Sequence, residues 1–347
     1  NHLVMIRSWQ SASLLVKKSP FSPEEINRVK EFCQQRLFDL VYYPGMQQQE
    51  ANRFNIMRQP YLYDGAVRLL GKGAERFKQR YKFNIKSSTD DRPYFSHFFK
   101  WRTLPEILRL KGKGGMVLLE SGYLILVLTL FQAIAASLLL ILLPVIVRPY
   151  VTVSEAGWNR PRIVAYFFAI GLGFLFLEIA YIQKFILYLG HPLYAAAAVL
   201  AIFLVFAGMG SQYGQAKQIR IKWPVAIILG LGIADLIAVN HLLAAFNWLP
   251  VPMKIFCTIL LLGPLAFTMG MPFPLALTEV GTDAPDLIPW AWAVNGCASV
   301  IGAVLATLLA IHFGFTAVVL AALTLYGLAA AIFPGRYKLK GGRNAAG

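Results

Sequence analysis

The sequence predicts a multi-pass α-helical membrane bundle of about seven spans, preceded by a short α/β segment. Of its 347 residues 57% are hydrophobic and only 14% charged, and the mean hydropathy is +0.56. That is too apolar for a soluble domain of this length. Apolar runs able to cross a hydrocarbon core of about 30 Å need about 20 helical residues, and all of them begin after position 115. Before that point the residues follow the mixed apolar and polar patterns of an ordinary globular segment.

Taken in order, "NHLVMIRSWQSASLLVKK" alternates like one or two strands, with Leu3, Met5, Leu14 and Val16 as the inward positions. It has no charged n-region followed by an apolar core, so it is no signal peptide. A chain that opens on Asn1 inside a strand pattern reads as the C-terminal part of a longer protein. "SPFSPEEINRVKEFCQQRLFDL" starts a helix. Ser22 caps it, Pro23 fits the first turn, Glu24 and Glu25 suit the positive dipole end, and Ile26, Val29, Phe32, Cys33 and Leu37 form its apolar stripe. "FDLVYYPGM" returns as a short buried strand, completing the strand, helix, strand grammar of an α/β layer. A second helix is expected over Tyr61 to Tyr81. In "KFNIKSSTDDRPYFSHFF", Thr89, Asp90, Asp91 and Arg92 have the chemistry of a tight Asx-type turn. Two readings stand for it: Asp90 or Asp91 holds a substrate amine, or the turn is locked by its Asp side chains and an Arg92 ion pair.

The membrane part divides into Val117 to Val147, Arg162 to Leu189, Pro192 to Gly210, Trp223 to Phe246, Val251 to Met271, Leu287 to Phe313, and Phe315 to Phe333. The resulting organisation is a soluble segment 1–100, a basic juxtamembrane linker 101–116, a bundle 117–334 and a basic tail 335–347. Gly171 and Gly173, Gly208 with Gly210, Gly230 with Gly232, and Gly296 with Gly302 offer small surfaces for close helix packing. Pro264, Pro272 and Pro274 predict that the fifth span kinks or ends early. It is either a broken helix beside a cavity or a Pro-rich turn at the interface.

Charge narrows the partners. The net +16, from 33 Lys and Arg against 17 Asp and Glu, fits basic loops lying on anionic lipid, and nucleic acid is not expected. Cys33, Cys257 and Cys297 form no CxxC pair, so neither a disulfide framework nor a metal site is expected. No Gly-rich phosphate loop, HExxH or GxSxG occurs in the soluble segment. With seven spans, the basic loops 148–162 and 211–222 and the tail share one side, which the positive-inside rule makes cytoplasmic. That arrangement puts the soluble segment outside, whereas its basic flank of Arg102, Arg109, Lys111 and Lys113 pulls it to the cytoplasmic side. A single first crossing cannot satisfy both, and the cytoplasmic placement is adopted.

Several stretches then converge. "RSW", "FDLVYYPGM", "EANRFN", "TDDRPYFSHFFKW", "MGMPFPLAL" and "WAWAVNGCASVIGAVLA" resemble the membrane-bound relatives of spermidine synthase. The resemblance implies an aminopropyltransferase-like, methyltransferase-type α/β domain fused to transmembrane helices, of which this chain holds the C-terminal remnant. It further implies S-adenosylmethionine or its decarboxylated form as cofactor of the complete protein, with none bound within this chain. Its substrate would be a polyamine or other small amine, its location a bacterial inner membrane with the soluble segment cytoplasmic, and a homo-oligomer is compatible with it. The family's Gly-rich cofactor turn and amine-binding acids fall outside the matching stretches, so no catalytic residue carries over.

"FLFLEIAYIQKF" sets Glu178 and Lys184 within an otherwise apolar run. A charge at the bilayer centre costs about 2.5–3.5 kcal/mol on insertion scales, so such groups face the bundle interior and find partners. Glu178 shares a helix face with Gly171, seven residues earlier, and Lys184 lies near enough to the span's end to snorkel. Asp235, Asn240, His241, Asn295 and Gln132 are the other polar residues at membrane depth, with His312 nearer an interface. Glu178, Asp235, Asn295 and Lys184 form the candidate intramembrane site: a cation-accepting cavity in a transporter, or paired groups that glue the bundle together.

Overall fold

The computed structural model describes residues 1–109, 120–147 and 158–334. Lys111, Lys113, Arg148 and the tail from residue 335, which carry part of the charge argument, lie outside the described residues. The chain divides into two units, one of residues 1–87 and 98–118, the other of residues 88–97 and 119–347.

The first unit is built on a three-stranded antiparallel sheet. Strand β1 (Leu3–Arg7) lies between β2 (Ala12–Val16) and β3 (Asp39–Tyr42). Its inward residues are Val4 and Ile6, which pack with Cys33, Tyr43 and Met46. The expected alternation was thus one residue out of register on β1, and all of β2, including Leu14 and Val16, is exposed. Four consecutive apolar residues at 3–6 carry no period-two signal, so the face that helix α1 (Pro23–Arg36) covers decides the register. Helix α1 starts as expected: Ser22 and Glu25 form a reciprocal capping box and Pro23 opens the first turn. Of the expected stripe, Ile26, Val29 and Cys33 pack inward, while Phe32 and Leu37 are exposed. Leu37 terminates the helix in the left-handed conformation (φ 55°), which turns it away from the stripe. The single helix expected over 61–81 is two, α2 (Tyr61–Leu70) and α3 (Ala74–Arg80), because Gly71 and Gly73 interrupt it. A short helix α4 (Leu104–Arg109) follows.

Beneath the sheet lies a group that the sequence did not single out. Asp39, 1% exposed, accepts backbone N–H bonds from Arg53 (2.6 Å), Phe54 (2.8 Å) and Asn55 (2.8 Å), and pairs with Arg7 at 3.2 Å. Arg7 also donates to the Asn55 carbonyl. "FDL" and "EANRFN" are therefore two halves of one buried anion nest.

The second unit holds seven helical segments long and apolar enough to cross a membrane, among the described residues, and they match the seven expected spans in order. They comprise helix α5 (Ser121–Ala136), which continues through a π-helical stretch at Ser137–Leu142 into α6 (Leu143–Val147), then α7 (Arg160–Leu189), α8 (Pro192–Ala216) and α9 (Lys222–Ala245). Next come α10 (Val251–Met269) and α11 (Pro272–Asp283), which share one span, then α12 (Ile288–Phe313) and α13 (Phe315–Ile332). Helix α7 is the axis of the bundle: 67% of its apolar window is buried, against 11% for the first span.

Glycines set the closest approaches. A Cβ at Gly171 would meet Ala298 and Asn295 at 2.8 Å, one at Gly232 would meet Leu323 at 2.4 Å, and one at Gly173 would meet Tyr326 at 3.1 Å. Between α8 and α10 the contact is backbone on backbone and reciprocal. A Cβ at Gly210 would fall 1.8 Å from the Phe267 carbonyl oxygen, and one at Gly270 2.0 Å from that of Ala207. Gly208, Gly230 and Gly296, expected in the same role, have nothing within 4 Å.

Candidate functional site in the helical bundle

The fifth span ends or breaks at its prolines, which fits both sequence readings. Helix α10 ends at Met269, and α11 restarts at Pro272. Pro272 and Pro274 have no N–H with which to carry the helical ladder across. Of the carbonyls this frees, that of Thr268 accepts from Met271 N–H at 3.2 Å, and the buried Tyr166 hydroxyl donates to the Pro272 carbonyl at the start of α11 at 3.0 Å. Beside the break lies a cavity of about 510 Å³, lined from α7 by Gly171 and Phe174, from α8 by Ser211 and Gln215, from α12 by Trp292, Asn295 and Ser299, and from α13 by Tyr326. It contains aromatic and aliphatic surface and neutral hydrogen-bonding groups, but no carboxylate or ammonium. That volume and mixture are those of small-molecule sites.

A second cavity, of about 330 Å³, lies further along α7 and is lined by Asp90, Asp91, Lys184, Tyr188, Asn240 and Asn247 among others. Lys254 donates to the Tyr188 carbonyl and to Asn247 Oδ1, both at 2.9 Å. The "TDDR" turn thus reaches this cavity, but its main task is structural. Asp91 Oδ1 accepts from the Thr316 N–H (2.8 Å) and hydroxyl (2.7 Å), and the Asp91 carbonyl accepts from the Phe315 N–H (2.9 Å), so the turn caps helix α13. Gly314, at φ +92°, is needed there twice over, since a Cβ would lie 2.0 Å from Asp91 Oδ2. Arg92 makes no ion pair with these acids; it donates to the His312 carbonyl at 3.3 Å. The turn is locked by a helix terminus some 220 residues away in sequence, which no local signal could announce.

Between the two cavities, α7 carries Glu178 and Tyr181. The buried Tyr181 donates to Asp235 Oδ2 at 2.7 Å, so Asp235 is paired, with Lys184 also within electrostatic reach. Glu178 is 8% exposed and has no hydrogen bond or ion pair among the described residues. Neither Glu178 nor Asp235 lines either of these two cavities. Asn295 stands in the cavity at the break, and Lys184 and Asn240 in the other. Gln132 and His241 are exposed.

His312 belongs to a cluster that no local sequence signal announces. Its Nε2 lies 2.9 Å from the Tyr123 hydroxyl, and His97 stacks on Tyr123 while its Nδ1 lies 3.0 Å from Glu120. The break cavity could have been foreseen only in part. The prolines marked where the fifth span fails, but Ser211 and Gln215 fall in the stretch read as the loop 211–222, through which α8 continues to Ala216, and Ser299 looks like an ordinary span residue. No family model, curated protein or solved structure matches this chain.

Proposed function

We propose that the bundle binds, and carries across the membrane, a small lipophilic amine held in the cavity at the broken fifth span. The observation that carries this reading is the cavity itself. It has ligand-sized volume at a helix break in which apolar walls are combined with Ser211, Gln215, Asn295, Ser299 and Tyr326, an arrangement that transporters use for substrate sites. Trp292 and Phe174 supply π-faces for a single ammonium. The lack of any carboxylate in the lining argues against an extended polycation such as spermidine. Phenethylamine is accordingly expected to bind the purified protein and shift Trp292 fluorescence, with spermidine much weaker. Replacing Asn295 and Ser299 together by Ala should weaken phenethylamine about tenfold, the equivalent of about 1.4 kcal/mol. Equal affinity in the double variant would overturn the assignment.

The resemblance to membrane-bound spermidine synthase relatives supports a companion reading for the complete protein: group transfer from S-adenosylmethionine or its decarboxylated form, with the soluble segment in the cytosol of a bacterial inner membrane. The strand, helix, strand order of the first unit agrees with a remnant of such a domain. Calorimetry should then show the cofactor binding to the complete protein but not to this chain. Binding by neither would remove the transferase reading and leave the bundle site as the function.

A further inference from the structure

Helix α7 passes both cavities. Gly171 and Phe174 line the cavity at the break, and Lys184 and Tyr188 line the polar one. Glu178 and Tyr181 lie between these positions along the helix. From Gly171 to Lys184 the helix rises about 20 Å. Along that path Tyr181 is engaged by Asp235 at 2.7 Å, and Lys184 is within electrostatic reach of Asp235 and Asp91. Glu178 differs from all of these. It is more than nine-tenths buried, has no hydrogen bond or ion pair among the described residues, and sits one helical turn from Phe174 and the cavity wall. Gly171, on the same face, packs against Asn295 and Ala298, so Glu178 is turned toward α12 and the bundle interior.

An ionised carboxylate at such depth, with neither donor nor cation beside it, carries a desolvation cost of several kcal/mol. A singly charged amine in the neutral cavity one turn away would remove that cost. We propose that Glu178 is the proton-exchange site of the bundle: a protonated amine entering the cavity displaces the Glu178 proton, making the exchange electroneutral. The proton passes to bulk water and returns to Glu178 when the amine departs. No bond other than the carboxyl O–H is broken, and the positive charge lost from Glu178 is replaced by that of the ammonium. This inference rests on the amine-binding reading of the cavity at the break.

Calorimetric titration of the full chain with phenethylamine, in buffers of different ionisation enthalpy, counts the protons released on binding. The wild type should release about one proton per amine bound. Glu178→Gln should release none while still binding, and Asp235→Asn, whose carboxyl is engaged by Tyr181, should still release about one. Undiminished release by Glu178→Gln, or binding without release by the wild type, overturns the inference while leaving the cavity reading intact. Absence of binding by the wild type overturns both. A second measurement needs no variant. A hydrophobic carbodiimide should label Glu178 in the wild type, read by peptide mass, and phenethylamine should suppress the labelling. Labelling unchanged by saturating amine would equally overturn the exchange.

Discussion

Gly270→Ala and Gly210→Ala should each prevent the bundle from assembling in a stable form. The methyl group introduced at either position points into a carbonyl oxygen of the facing helix, 2.0 Å away from Ala207 O or 1.8 Å from Phe267 O. No side-chain rotamer can relieve a clash with backbone, so α8 and α10 would have to separate along their whole contact. Overpacking ordinarily costs about 1–3 kcal/mol; here the cost should exceed the top of that range. It should be read as loss of monodisperse protein on size exclusion, or as a large drop in melting temperature. Gly208→Ala, on the same helix but with nothing within 4 Å, is the control and should be neutral or slightly stabilising. If all three variants melt alike, the α8–α10 contact is not the close approach described.

The second large effect lies in the first unit. Asp39→Ala removes the acceptor for three backbone N–H groups and leaves Arg7, itself 8% exposed, buried without its counter-ion. Breaking a buried pair in this way costs about 3–5 kcal/mol, a large fraction of the stability of a small domain. Amide exchange at Arg53, Phe54 and Asn55 should rise sharply, and protease resistance of the sheet should fall. Asp39 also gives the unit an acid limit. Burial opposes its charge, but the N–H groups of Phe54, Asn55 and Arg53 outweigh that and hold its carboxyl below the usual range. A lowered folded-state value means the stabilisation is fully present above the unfolded carboxylate value of about 3.9. It is lost as the pH falls further, through the folded value. Exchange protection of those three amides should therefore collapse at acid pH in the wild type and be absent from the start in the alanine variant. Protection in Asp39→Ala equal to wild type would contradict the role given to the nest.

The spans were legible because a membrane helix announces itself through length and composition alone. Pro192, Val251 and Phe315 start their helices where the sequence placed them. The helix cap at Ser22 was legible for a similar reason, since a capping box is a four-residue signal. What stayed hidden was set by distant partners. Asp91 looked like a turn residue and is a cap for α13. Asp39 opens strand β3 as the sequence suggested, but its place at the centre of a nest was not visible. Asp235 and Glu178 looked alike at their depth in the spans, yet only Asp235 has a phenol to bind. The strand register failed at Leu3 to Ile6 because a run without polar residues records no face.

The decapeptide that carries Asp91 has a consequence for the molecule's modularity. Residues 88–97 belong to the bundle unit, whereas the stretch that follows them, 98–118, belongs to the first unit. The chain therefore passes from one unit to the other three times, and neither is an uninterrupted length of polypeptide. A single cut after residue 87 deprives the first unit of Phe99, which is 3% exposed, and of α4. A single cut after residue 118 deprives the bundle of the cap on its last helix. Gene truncation or domain exchange at one junction thus yields an incomplete piece on one side, and only an excision that keeps residues 88–97 with the helices would preserve both.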